Sequence, residues 1–257
     1  MDLLENSRLL LNNFQLTLLS NVLHAFDRFS LVPSMLELIQ CSHDIQPNLF
    51  DTFNLFASFY TTVESFINST ADFRVLTVAE QRSLFQRNLH GLFNYCGTFM
   101  LRDAGMFDNQ RNENLLVPLY GHEIVQQAKR IIMRLDSDSI IIKFIHIIFA
   151  FSTNCFTVNY DSDMNQDPLL HGTFRLFGSQ NLYTEILWQY MLFRYDYRES
   201  VVRFAGLVKH MLDLIYLSTE IYGHNVHHQT LVDDLVEEAK TALILDEQTI
   251  EPLWGRT

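Results

Sequence analysis

Apolar residues recur every three or four positions in segment after segment of this chain, the spacing that lines one face of an α-helix. From about Leu3 to Ile39, Leu-rich and polar positions follow a helical rhythm that Pro33 restarts. Gln46, Pro47 and Asn48 then punctuate the chain. Asn48 is suited to cap a long helix, with Asp51 near the amino end where a carboxylate is favoured. Phe53, Phe56, Phe59 or Tyr60, Val63 and Ile67 continue as one apolar stripe. After a connector from Asn68 to Val75, Thr77 and Glu80 have the spacing of a capping box. They precede a strongly apolar helix face made by Leu84, Phe85, Asn88, Leu89, Leu92, Phe93 and Cys96.

Met106 to Tyr120 is irregular, and Leu115 to Leu119 reads as a short strand or turn. Helical pattern resumes from Glu123 to Arg134 and from Ser139 to about Thr153. The second of these is apolar nearly all round, as a helix sandwiched by others would be. Its run of isoleucines also suits a strand; its length favours a helix. Asp161 to Pro168 reads as a polar loop. Leu176 to Tyr195 forms another helix, and a long one carries Phe204, Leu207, Val208, Met211, Leu212, Ile215 and Ile221. Gly223 marks its end or a bend, Thr230 is placed to cap a short helix from Leu231 to Ala242, and Asp246 to Thr257 forms a peripheral tail. No repeat or interdomain linker interrupts the pattern, so the expectation over residues 1–257 is one all-α domain of ten to twelve helices.

Composition supports a large core. Of 257 residues, 48% are hydrophobic, 21 are Phe and only 19% are charged, which argues against a disordered chain. Nine Gly and five Pro are too few for turn-rich sheets or Gly-rich phosphate loops. With 18 basic and 30 acidic side chains the net charge is −12, so the body repels nucleic-acid phosphates and DNA contact is expected only through another domain. Cys41, Cys96 and Cys155 are scattered and odd in number, which points to a reducing compartment rather than a disulfide framework. The acidic, interrupted start is unlike a signal peptide, and the apolar run from Ile140 to Phe151 is too short to cross a bilayer; no membrane association is expected.

Three segments, in order, resemble the ligand-binding domains of nuclear receptors. The run holding Phe73, Leu76, Glu80, Gln81, Leu84 and Phe85 is similar to the family signature linking helix 3 to helices 4 and 5. Phe144 to Phe151 resembles helix 8. Asn181 to Tyr195, followed by Arg203, Phe204, Ala205 and Leu207, resembles the ninth helix and the opening of the tenth. The resemblance covers roughly residues 45 to 240. It implies a three-layer antiparallel α-helical sandwich with a small β-turn beside the ligand cavity, here near Leu115 to Tyr120. It further implies a nuclear transcription regulator, with zinc only in a separate upstream DNA-binding domain and no cofactor within this chain.

The resemblance also implies a lipophilic small molecule held between helices 3, 5 and 11. The matched positions are Thr52, Phe53, Phe56 and Phe59 on helix 3, and Leu89, Phe93, Asn94, Gly97 and Met100 on helix 5. Apolar and aromatic groups with one or two polar anchors make a sensible ligand wall; the same rings also suit ordinary core packing. Met100 stands where many members carry Arg, and Arg102, two residues on, points elsewhere, which puts recognition of a carboxylate or keto group in doubt. His224 lies closest to a ligand-reaching histidine of helix 11. His224 and His228 have the spacing of a metal pair, but no thiolate or fixed carboxylate accompanies them, and no metal site is expected.

A coregulator groove for an LxxLL-type helix is the family's second site. Its basic helix 3 position is Asn68 here, its helix 4 position is Gln86, and Asp234 stands for the Glu of the activation helix, within Leu231 to Val236. Weak coactivator recruitment, with corepressor preferred, is the expectation. Phe204, Leu207, Met211 and Leu214 would form a dimer surface on helix 10 for a second copy or another receptor. No GxSxG, HExxH, GxGxxG or GxxxxGK[ST] motif is present. The pairs Asp136 with Asp138 and Asp161 with Asp163 read as helix caps rather than catalytic acids, so a non-enzyme is expected. Two alternatives stay open: a ligand-free helical protein-interaction scaffold with a filled core, and a lipid carrier or enzyme on an unrelated helical fold.

Overall fold

The computed structural model describes residues 11–41, 49–152, 169–230 and 233–234. Among them every regular element is helical: α1 Asn13–Arg28, α2 Val32–Cys41, α3 Leu49–Asn68, α4 Ala71–Arg74, α5 Val78–Asp103, α6 Gln110–Glu113, α7 Val117–Ile132, α8 Ser139–Ala150, α9 Leu169–Arg194 and α10 Tyr197–His224, with a further helical segment over 226–230. No helix among the described residues is long and apolar enough to cross a membrane.

Local chemistry sets the helix starts. Asn12 and Gln15 form a capping box at α1. Pro33 falls in the first turn of α2, where its missing N–H leaves no bond unmade. Thr77 and Glu80 form the expected box at α5, Asp138 accepts from the Ile140 amide at α8, and Asp196 caps α10. The isoleucine-rich segment is a helix rather than a strand; Ile141, Ile142, Phe144, Ile145, Ile147 and Ile148 are all buried. Those side chains surround the whole helix, so the sequence shows no two-faced pattern there.

Two local expectations are corrected. Leu115 to Leu119 is no strand: residues 114–116 turn, and α7 follows with Pro118 in its first turn, so the β-turn is not found among the described residues. Asn109 caps α6 just upstream, and its helical course leaves no extended partner to pair with. Thr230 is not an amino cap. Asn225 takes that role by accepting from the His228 amide at 2.9 Å, and Thr230 donates its hydroxyl back to the Val226 carbonyl inside the turn. The connector from Asn68 to Val75 contains the short α4. The Asn48 cap, the loop from Asp161 to Pro168 and the tail from Asp246 lie outside the described residues.

Helix α5 is the hub, packing on α2, α3, α7, α8, α9 and α10. Helix α8 packs on α1, α5 and α9, and α10 packs on α5, α7 and α9. Phe26 meets Phe66, Phe99 and His146, joining α1, α3, α5 and α8 through edge-on and tilted rings. Around the short α4, polar bonds do the joining. Gln81 donates from Nε2 to the Phe73 and Leu76 carbonyls at 3.0 and 3.3 Å, and Tyr183 donates to Asp72 at 2.6 Å. Glu80 accepts from the Thr77 amide and hydroxyl and pairs with Arg175 of α9 at 2.6 Å. Burial opposes the Glu80 charge, but these donors outweigh it and hold the carboxyl below its usual range.

At the opposite end of α8 two aspartates clasp several helices. Asp138 accepts from Tyr190 at 2.9 Å and Tyr195 at 2.8 Å. Asp136 accepts from the Asp138 amide and from Arg203 Nη1 at 2.7 Å, while its carbonyl accepts from Arg102. The guanidinium of Arg203 lies 4.0 Å from the Tyr195 ring centroid.

Candidate functional site

Helices α5, α7 and α10 line a half-open apolar cavity of about 50 Å³. Its α5 wall is Asn94, Gly97, Thr98 and Leu101; its α7 wall runs from Tyr120 through Ile124, Val125 and Ala128 to Ile132. Leu217 and Ile221 close it from α10, and Phe107 with Leu116 from the α5–α7 connection. A volume of that size takes a few waters or one small apolar molecule. Pockets for drug-sized ligands run to roughly 300–1,000 Å³.

The cavity owes its shape to two glycines. Gly97 leaves open space on α5, since a Cβ there would meet nothing within 4 Å. Gly121 holds φ +77°, a left-handed conformation that only glycine adopts freely, and breaks α7 one residue after Tyr120. The Leu119 carbonyl at this break accepts from the side chain of Asn225 at 2.6 Å. That bond ties the end of α10 to the start of α7 and brings His228 against Tyr120. The Tyr120 hydroxyl lies 3.5 Å from His228 Nδ1, and the rings meet edge-on at 5.7 Å. On the α5 side, Asn94 donates from Nδ2 to Ser218 Oγ at 2.9 Å.

Burial determines what these polar groups do. It pushes the His228 imidazole down to about 4 and the Tyr120 phenol well above its usual range. Both are therefore neutral near pH 7 and act there as hydrogen-bonding groups. Proton transfer at neutral pH asks for a group that titrates closer to it. Among the described residues no cluster of three or more His, Cys, Asp or Glu has the arrangement of a metal site.

Of the residues singled out as ligand contacts, Asn94 and Gly97 do line the cavity. Phe59 and Met100 are buried in the surrounding core and are not among its walls. Arg102 turns away from it, with Nη1 on the Asp136 carbonyl and its guanidinium 4.8 Å from the Phe99 ring centroid. His224 is exposed, with Nδ1 2.9 Å from the Glu220 carbonyl oxygen, and the buried histidine beside the cavity is His228, one turn further on. The side chains of Thr52, Phe53, Phe56, Leu89 and Phe93 lie outside the described residues. Thr98 and Ser218 escaped sequence reasoning, while Tyr120 was placed only at the end of an expected β-turn and His228 only at metal-pair spacing from His224. The one signal for the site was the irregular pattern ending at Tyr120, which marks the right place with the wrong conformation.

At the expected coregulator positions, Asn68 is half-buried and its carbonyl accepts from Arg74 Nε at 2.8 Å, while Asp234 is exposed. The Gln86 side chain lies outside the described residues. On α10 the expected dimer surface is turned inward. Leu207, Met211 and Leu214 belong to the core, and Phe204 is half-buried with its ring 5.8 Å from Trp188. The outward apolar residues are instead Val201, Val202, Val208, Leu212 and Tyr216, with Leu212 62% and Tyr216 60% exposed. Val201, Val208, Leu212 and Tyr216 share one face of the helix, at spacings that keep returning to the same side.

No model of a known protein family matches the chain, and no curated protein matches it in sequence.

Proposed function

We propose that this chain is a protein-interaction module of the nuclear receptor ligand-binding type, with an interior filled by its own side chains and an output that runs through its surface. The observation that carries the proposal is the contrast between a cavity of about 50 Å³ and an uncovered apolar face along the 28-residue α10. Six large side chains, Phe59, Phe73, Phe99, Phe144, Phe151 and Tyr183, are packed into the core almost without exposure. The order of helix contacts supports a three-layer sandwich: α1 and α3 on one side, α5, α8 and α9 between, α7 and α10 on the other. The bonds of Gln81 to Phe73 and Leu76 support the signature resemblance, since they join the helix α5 start to the segment that follows α3.

In this proposal the outward face of α10 meets a second copy or a related receptor domain in a two-fold contact, in which the same apolar residues serve both partners. Coregulator helices bind weakly at the surface bearing Asn68, Gln86 and Asp234, and regulation of transcription takes place in the nucleus with DNA held by another domain. Native mass spectrometry of the purified chain tests the filled interior: the expected mass is that of the protein alone. A stoichiometric lipid of about twenty or more heavy atoms would overturn it, since no such molecule fits in 50 Å³. Sedimentation velocity tests the face: Leu212→Glu is expected to weaken self-association about tenfold or more with unfolding unchanged. Unchanged association would remove α10 from the proposal.

A second function, small-ligand sensing, is favoured by Asn94, Thr98 and Tyr120 on the cavity wall. They suit a compact apolar molecule with one polar group. A fragment-sized ligand that binds the wild type and is excluded by Gly97→Val would support it; equal binding to both would place the ligand elsewhere.

A further inference from the structure

Ion pairs form easily in a chain with 30 acidic and 18 basic side chains. Lys129 pairs with Glu113, Lys143 with Asp27, Arg175 with Glu80, Arg203 with Asp136 and Glu199, and Lys209 with Asp213. Arg130, Arg134, Arg194 and Arg198 are exposed and make no ion pair among the described residues. These four stand at one end of the molecule. Asp136, two residues after Arg134, accepts from Arg203 of α10 at 2.7 Å, and Asp138 accepts from Tyr195, next to Arg194, at 2.8 Å. The turn from α7 into α8 is thereby tied to the turn from α9 into α10.

The carboxylates of this end are spent on the fold. Asp136 and Asp138 bond to Arg203, Tyr190 and Tyr195, Asp196 caps α10, and Glu199 pairs with Arg203. Residues 130–138 and 193–203 carry five basic and four acidic side chains, and the rest of the chain carries 13 and 26. This end is the cationic pole of an acidic body. Helix energetics account for part of it: Arg130 and Arg194 lie in the last turns of α7 and α9, where a cation complements the macrodipole. They do not account for Arg198, in the first turn of α10, where the macrodipole opposes a cation. Arg134 adds a like charge four residues after Arg130, beyond the end of α7. Neither placement favours the isolated chain, and both bring positive charge to an open surface.

All four residues are arginines, whose planar forks take a carboxylate or a phosphate through two parallel bonds. Extent separates those two ligands. Charge interactions in physiological salt fade over about 8 Å, and a nucleic-acid strand runs on from this pole over acidic surface, whereas a short peptide ends within it. Met133, Phe193 and Tyr197 are exposed apolar residues, and each directly precedes one of the arginines in the chain, so a peptide side chain has apolar surface to cover beside the charges. We propose that this pole is a docking surface for an acidic peptide segment of a partner protein, with Asp or Glu side chains on Arg134 and Arg198 and an apolar side chain against Met133 or Tyr197. The site holds whether or not the outward face of α10 associates with another domain.

Fluorescence anisotropy with the full chain tests it. Three labelled probes are compared: a short peptide with glutamates flanking a central Phe, the same peptide with Gln for Glu, and a single-stranded oligonucleotide of the same net charge as the Glu peptide. The Glu peptide is expected to bind saturably and about tenfold or more tightly than the other two, and to weaken as salt is raised. Arg134→Gln with Arg198→Gln should remove that advantage. Arg74→Gln with Lys209→Gln, which takes the same charge from elsewhere, should leave it unchanged, as should Leu212→Ala on the outward face of α10. No binding, equal binding of the Gln peptide, or an equal loss in the Arg74 and Lys209 variant overturns the proposal. Oligonucleotide binding as tight as the Glu peptide overturns it in favour of a nucleic-acid site. A fall in self-association of the arginine variant in sedimentation, without peptide binding to the wild type, overturns it in favour of a second copy. Thermal melting separates docking from a structural role: the arginine variant is expected to melt at the same temperature or higher, and a clear fall would assign these arginines to the fold.

Discussion

The inward and outward sides of α10 are built from the same kinds of residue and end in opposite circumstances. Leu207, Met211, Leu214, Leu217 and Ile221 face α5, α7 and α9 and are buried, whereas Val201, Val208, Leu212 and Tyr216 remain open. Adjacent residues make the contrast sharpest: Met211 is 5% exposed and Leu212 62%. Apolar character alone therefore does not say which side of a helix belongs to the fold. Its complement does, and here the complement of one side is found among the described residues while the other side stays exposed.

The largest expected effect tests that difference directly. Met211→Ala should lower unfolding stability by about 2–5 kcal/mol through lost burial and a new cavity, while Leu212→Ala should stay within about 0.5 kcal/mol. Urea unfolding of both variants decides it, and similar losses would mean that the two sides are not different in kind. Acid reaches the interior next. Burial holds the imidazoles of His146 and His228 down to about 3 and about 4, against an ordinary value near 6.5. The unfolded chain therefore binds protons that the folded chain refuses. The stability concerned is complete above about pH 6.5 and drains as pH falls, through about 4 for His228 and about 3 for His146. Each histidine contributes a slope of roughly 1.4 kcal/mol per pH unit inside its window. A His228→Gln chain should lose about half of the combined slope in denaturant titrations run from pH 7 to pH 4.5; an unaltered slope would mean that His228 is hydrated. The smallest effect concerns the cavity. Gly97→Ala removes a helix-interior glycine and places a methyl group in open space, so stability should rise by about 1 kcal/mol. A fall in melting temperature would indicate that a resident molecule already fills that space.

Much of the fold could be read from residues acting on their neighbours. Thr77 with Glu80, and Asp138 before Ser139, announce helix starts because a cap needs only three or four residues of chain. The same locality misplaced the final cap. Thr230 has the right chemistry, but Asn225 lies at the point where the backbone leaves α10 in an extended conformation, and so takes the first amides of the next turn. Leu115 to Leu119 misled for a related reason: branched residues bounded by polar ones suit a strand, yet a strand needs a partner, and Asn109, Pro118 and Gly121 turn this stretch into two helix starts and a break. The cavity was half legible. Asn94 and Gly97 sit on a strongly patterned helix, but Tyr120 and His228 meet across 108 residues of chain through a kink and a cap that no periodicity reports. Leu207, Met211 and Leu214, expected on an open surface, are buried instead, because α10 is apolar on more than one face and only packing tells the faces apart.

The aspartate clasp before α8 carries a consequence for the order of events in folding. Asp138 caps its own helix through a neighbour two residues away, but its bonds to Tyr190 and Tyr195 span 52 and 57 residues, and Asp136 reaches Arg203 across 67. The cap is available as soon as α8 winds; the clasp exists only after α9 and α10 have come back to meet it, when most of the loop-closure entropy has been given up. Bonds of such span are expected to form after the transition state, where they would set how fast the native structure is lost rather than how fast it is reached. Replacing both tyrosines with phenylalanine should therefore leave the refolding arm of a chevron plot in place and raise the unfolding arm, making Asp138 a latch on the lifetime of the folded domain.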